Sequence, residues 1–203
     1  QTYNFNQSVD GEYVGLGITI LWSDGECRIT EVNESGPAFK AGLKVDVVKF
    51  EEDCCNQDVL NIINRCNEEK IPVILQLPTF KHLDTKGLMD SINYDVDADG
   101  FAREWIGEIN LGNDKKIAPA TPKGVISLLE YHNVDVQGKV ALVIGKSNHV
   151  GKPLCSMLMN RGATLINANS KTKDLSELVK IADIIISCVG RQNLIDPKDI
   201  KKD

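Results

Sequence analysis

Two short stretches carry residue types suited to holding a phosphate-bearing ligand. In GKSNHVGKP, residues 145–153, Gly145 and Gly151 bracket Lys146 and Ser147, and Lys152 follows. Glycines let backbone amides come close to a ligand, the lysines and the serine add donors, and a helix starting behind the loop adds the positive end of its dipole. The spacing matches neither common phosphate loop. Five residues separate the glycines, Pro153 stands where a P-loop has its magnesium-binding hydroxyl, and G-x-G-x-x-G is missing. An ordinary strand-to-helix loop is the competing reading. The second stretch, NANSKTK at 167–173, offers Ser170, Lys171 and Thr172, with no carboxylate before Asp174. An acidic residue at that place suits the ribose hydroxyl of NAD, whereas basic and hydroxyl groups suit a 2′-phosphate, so a bound dinucleotide would be NADP. A solvated helix start is the plain alternative.

The elements around these stretches alternate. KVALVIG and ATLINAN are short apolar runs typical of buried parallel strands, and DIIISCVG is a third. Between them lie PLCSMLMNRG, a helix with Pro153 at its start and Gly162 at its end, and DLSELVKIA, where Asp174 and Glu177 are spaced as a capping box. Strand-helix-strand-helix-strand predicts a parallel sheet with right-handed crossovers. Upstream, Val125, Leu128, Leu129 and Val134 have helical spacing. NQDVLNIINRCNEE, residues 56–69, predicts a helix between two strands, KVDVVKF and PVILQLP. Residues 80–120 read as loop-rich, and a domain boundary is placed near residue 120.

These motifs together resemble the bifunctional methylenetetrahydrofolate dehydrogenase/methenyltetrahydrofolate cyclohydrolase family. VIGKSNHVGKP is similar to its IGRSxIVGxP signature, VILQLP to ILVQLPLP, DVDADGF to KDVDGF, and APATPKGVISLLE to PCTPKGVIELL, in the family's order, over residues 44–203. The resemblance implies NADP-linked oxidation of methylenetetrahydrofolate and hydrolysis of the methenyl product, in a cleft between a folate-binding half and a Rossmann-like half. It implies that Gln76 supports the catalytic lysine, that Asp99 anchors the pterin, and that Pro78 and Thr121 line the substrate cleft. Gly145, Lys146, Ser147, Gly151, Ser170, Lys171 and Thr172 would hold the cofactor. Lys146 replaces the family's arginine, keeping the charge and losing the two-pronged hydrogen bond. A homodimer through the Rossmann halves is implied as well.

Two features depart from that family. Its acid/base lysine, in Y-x-x-x-K, is expected near residues 30–34, where TEVNE puts Thr30 and Glu34. A carboxylate cannot replace an amine that gains and loses a proton beside the one-carbon unit. The family's C-terminal PGGVGPMT segment does not occur, so the sheet is expected to be shortened and activity impaired. Residues 11–43 resemble the PDZ domain of carboxy-terminal processing proteases, with Gly15, Leu16, Gly17 and Ile18 as the carboxylate-binding loop for a peptide C-terminus. The fold expected is therefore α/β: a shortened Rossmann-like parallel sheet at 121–203, and a smaller α/β folate-half remnant at 44–120 with PDZ-like strands at 1–43. A degenerate family member and an engineered or recombined chimera are the alternatives, the latter a peptide-binding module or a chain without native activity.

The net charge of −6 argues against nucleic acid, and no apolar run is long enough to span a membrane. The polar N-terminus does not read as a signal peptide. Six cysteines without C-x-x-C spacing read as reduced thiols, and the expected location is cytoplasmic. His82, His132 and His149 lack ligand-spaced partners, His149 being read as solvent-facing. Asp95, Asp97 and Asp99 fail the calcium-loop pattern because Ile106 occupies its twelfth position, so no metal site is expected.

Overall fold

The structure, a computed structural model, describes residues 18–23, 26–32, 47–114 and 117–201. Two compact units emerge: residues up to Val59 with Leu75–Asp84, and Leu60–Ile74 with the chain from Thr85 onward.

In the first unit, β1 (Ile18–Ser23) and β2 (Glu26–Val32) pair antiparallel, with an irregularity between Thr19 and Ile20. Ile18 of the PDZ-like motif thus opens a strand, and Gly15, Leu16, Gly17 and Glu34 lie outside the described residues. Helix α1 (Asn56–Glu69) has the bounds read from sequence. The strands expected on either side of it do not form among the described residues. Residues 47–50 are irregular, and of PVILQLP only Val73 makes a bridge, a single parallel one to Asp97. The run is apolar enough for a strand, but the bridge supplies it a partner at one residue only.

The second unit is built on a parallel three-stranded sheet in the order β4 (Thr164–Ala168), β3 (Val140–Ile144), β5 (Ile184–Ser187). Ala141 of β3 stands opposite Leu165 on one side and Ile184 on the other. Alternate β3 side chains feed two cores. Ala141 and Val143 pack with Leu154, Met157 and Leu158 of α5 (Gly151–Met159), with Ile126 of α4 (Ala120–Tyr131), and with Ile109 of α3 (Arg103–Asn110). Leu142 and Ile144 pack with Val179 of α6 (Leu175–Ile181) and with Ala182. Helices on both faces explain why β3 is apolar throughout rather than alternating.

Local expectations fail where backbone conformation overrides pattern. Residues 80–120 hold α3 and the short α2 (Thr85–Asp90), so the stretch is less loop-rich than its composition suggests. Helix α4 stops at Tyr131, leaving Val134 beyond it, because Asn133 takes a left-handed φ of 55°. Leu128 is exposed, and the helix buries Pro122 and Ile126 instead. Asp174 precedes α6 with φ 52° and makes no side-chain cap, so the capping box does not form. Aspartate is among the few residues that adopt this conformation readily.

Candidate functional site

The carboxyl ends of β3 and β5 lie where the chain switches sides of the sheet, the place where open α/β sheets bind ligands. The 145–151 loop leaves β3 there. Gly145 has φ 130°, and a β-carbon on it would sit 3.1 Å from Cβ of Cys188, just past β5. Asn167 of β4 braces the loop, its Nδ2 donating to the carbonyls of Val143 (3.1 Å) and Gly145 (2.8 Å).

Ser147 organises the loop's second half. Its Oγ accepts from the amides of Val150 (3.1 Å) and Gly151 (3.3 Å), and its carbonyl accepts from Lys152 N at 3.0 Å. Leu154 N donates to the Val150 carbonyl. The first-turn amides of α5 are therefore satisfied within the protein, so the ligand-facing groups here are side chains and the loop before the helix. Lys146, Ser147 and Asn148 are exposed, and Lys152 donates to Asn148 Oδ1 at 2.7 Å. Pro153 is buried and is the third residue of its helix rather than the first.

Beside this loop, the turn after β4 closes on itself. Thr172 Oγ1 accepts from Asn169 N at 2.8 Å, and Asn169 Oδ1 accepts from Lys171 N at 3.0 Å. Thr172 thus shapes the turn, while Ser170 and Lys171 are exposed on it. No carboxylate intervenes before Asp174. A loop that a β-carbon would obstruct, next to an exposed serine and lysine, fits a phosphorylated dinucleotide.

The DVDADGF segment approaches from α3. The buried Asp97 carboxylate accepts from the amides of Asp99 (3.1 Å), Gly100 (3.0 Å) and Ala102 (2.6 Å), folding the segment into a tight turn. Gly100 has φ 76°, and a β-carbon there would lie 2.9 Å from the Ala118 carbonyl carbon, so the segment lies against the entry to α4, where Thr121 is exposed. Asp99 is half-buried. Burial, and then the neighbouring Asp97 charge, push its carboxyl up, while His149 pulls it down. The ring of His149 meets Phe101 edge-to-face at 4.6 Å and is half-buried, not solvent-facing as its isolation in sequence suggested. Asp95 is drawn off by Lys70 at 2.6 Å, so the three alternating aspartates do three different things.

Gln76 and Pro78 belong to the first unit, where both are exposed. Gln76 Nε2 donates to its neighbour's carbonyl, Leu77 O, at 3.0 Å. Sequence reasoning missed Asp97 as the residue that shapes the Asp99 turn. The signal was present: an aspartate two and three residues ahead of an Asp-Gly pair is the pattern of an Asx-turn.

The fold and the two loops at the carboxyl edge define an α/β protein with an NAD(P)-type nucleotide-binding domain. Comparison with known proteins makes this specific. The family model described as tetrahydrofolate dehydrogenase/cyclohydrolase, NAD(P)-binding domain, matches residues 119–203. The bifunctional protein FolD of Clostridium novyi is 34% identical over a 204-residue alignment that takes in 100% of this chain and 73% of that protein. The FolD of Lactococcus lactis subsp. cremoris is 35% identical over 193 residues, 94% of this chain and 67% of its own length. The crystal structure of FolD from Campylobacter jejuni superposes with a TM-score of 0.77 at 36% identity, covering 81% of this chain and 59% of that one. The Trypanosoma brucei enzyme, solved with NADP cofactor and inhibitor, gives 0.75 at 26% identity, covering 81% of this chain and 57% of that one. This chain belongs to the FolD family of methylenetetrahydrofolate dehydrogenase/cyclohydrolases. It spans less than two thirds of those two solved enzymes, and the alignment to the Clostridium protein includes the stretch read as PDZ-like. Among the described residues, no helix is long and apolar enough to cross a membrane.

Proposed function

We propose that this chain binds NADP and a reduced folate as part of an enzyme that oxidises methylenetetrahydrofolate and hydrolyses the methenyl product, in the cytoplasm. The observation that carries the reading is the contact of Phe101 with His149, which sets the DVDADGF segment against the nucleotide loop. A hydride can pass only between groups held in contact, so the two motifs must meet.

Lys146, Ser170 and Lys171 would hold the cofactor's phosphates, and NADP when bound would supply the hydride acceptor. Asp99 would accept hydrogen bonds from the pterin, Thr121 and Pro78 would line its cleft, and Gln76 would orient the proton-transfer group. Residues 121–203 form the nucleotide domain in this reading, residues 44–120 the folate half, and two copies pair as a homodimer. Glu34, standing where the motif lysine is expected, leaves the chain able to bind but slow to turn over.

Calorimetry with NADP and then with NAD tests the binding half: tighter binding of NADP, lost in the double variant Lys146→Ala/Ser170→Ala, is expected. Equal affinity for both nucleotides overturns it. Cyclohydrolase turnover well above background, abolished by Gln76→Ala, would overturn the impaired reading. The antiparallel pairing of β1 and β2 favours a second reading of the N-terminal stretch, a peptide-binding edge near Ile18. A peptide with a free carboxylate and its amidated twin should then differ in affinity, and equal binding ends that reading.

A further inference from the structure

His149 lies in the middle of the nucleotide loop, yet its contacts point away from the loop. Its ring packs edge-to-face on Phe101, centroids 4.6 Å apart and planes at 60°. Phe101 is two residues from Asp99, on the turn that Asp97 holds through three amides. On the loop side, Ser147 Oγ fixes the backbone at Val150 and Gly151, directly after His149. The ring thus joins two segments that are each rigid by their own hydrogen bonds.

We infer that His149 is a positioning residue that ties the nucleotide loop to the Asp99 turn, so that filling one binding segment is felt at the other. The inference deepens the proposed function and rests on Asp99 being the folate anchor. Two physical links run through the same side chain. The ring contact is mechanical: a loop that shifts to accept a phosphate moves His149, and Phe101 must follow or lose its edge-to-face aromatic contact. The other link is electrostatic. The Asp99 carboxyl feels His149 across this contact and Asp97 from its own turn, while Lys146 lies on the His149 loop and Lys152, in the first turn of α5, is engaged by Asn148. A positive charge on the imidazole favours the carboxylate form of Asp99, the form that accepts hydrogen bonds from a pterin edge.

The test uses the full chain and two variants, His149→Phe, which keeps a ring against Phe101, and His149→Ala, which removes it. In the ligand-free proteins, the carboxyl of Asp99 is titrated by carbon-13 NMR. Its midpoint should rise in both variants, because the compensating positive charge is gone. An unmoved midpoint overturns the inference whatever the ligands do. Tetrahydrofolate affinity is then measured with and without saturating NADP. The wild-type chain should show coupling of about fivefold or more, reduced to within about twofold in His149→Ala and largely kept in His149→Phe. Unchanged coupling in His149→Ala overturns the inference. A midpoint displaced in the variants, with a wild-type chain that binds NADP but not tetrahydrofolate, shows instead that the folate reading has failed, and the coupling claim falls with it while the electrostatic influence of His149 on Asp99 stands.

Discussion

Gly151 packs against the carbonyl of Gly145 so closely that a β-carbon at 151 would lie 2.2 Å from that oxygen. Glycine at 151 is therefore required by the backbone of residue 145, and glycine at 145 by its own φ and by Cys188, not merely by a ligand. Gly151→Ala should cost about 3 kcal/mol or more, since backbone must move to admit the methyl. Gly124, inside α4 with nothing within 4 Å of a built β-carbon, is the matched control. There the same substitution should stabilise by up to about 1 kcal/mol through helix propensity alone. Urea denaturation of both variants checks the opposite signs.

Asp97 and Asp99 should also respond in opposite directions. Asp97→Ala strips three amides of their buried acceptor and should lose about 3 kcal/mol. Asp99 carries no such duty, and its folded-state carboxyl is raised by burial and by Asp97. A raised value means that the folded state holds the proton more tightly than the unfolded chain. Stability from this group is present below the ordinary carboxylate value of 3.8 and is lost as pH rises from there through the raised folded value. Asp99→Asn should flatten that decline and leave the neutral-pH protein no less stable. Urea melts of wild type and variant across pH 3 to 7 read the difference directly.

Much of the nucleotide domain was legible in sequence because a strand covered on both faces must be apolar throughout, as VALVI is. The bounds of α1 were legible for a similar reason, a long amphipathic run ended by the left-handed Lys70. What was hidden depended on partners remote in sequence. PVILQLP has strand composition, but only Val73 finds a bridge, to Asp97. The motif pointed to Asp99 but not to Asp97, the residue that shapes its turn. His149 looked isolated because its partner lies 48 positions away at Phe101, and no local pattern encodes that contact.

Arg161, just after α5, binds the buried Asp114 carboxylate through Nη1 and reaches Glu130 of α4 at 3.4 Å. Arg161→Leu leaves Asp114 buried without its cation and should lose about 3 kcal/mol. Adding Asp114→Asn removes the orphaned charge, so the double variant should recover part of that loss. Additive losses in the double-mutant cycle would show that the pair is not coupled.

Thiol chemistry offers a readout of the first core that needs no ligand. Cys155 is buried in α5, and burial, with the nearby Cys188 thiol, pushes it up to about 11. Only the thiolate is nucleophilic, so at pH 8 roughly 0.1% of Cys155 would be in the reactive form even before access is considered. Cys55 is exposed, whereas Cys188, next to Gly145, is partly covered and raised by burial. Iodoacetamide labelling followed by peptide mass spectrometry should modify Cys55 first, Cys188 later and Cys155 last. Because Cys188 touches the nucleotide loop at Gly145, saturating NADP should slow its labelling several-fold while leaving Cys55 unchanged. Equal protection of both cysteines would mean that the nucleotide acts on the whole fold rather than at the carboxyl edge of the sheet.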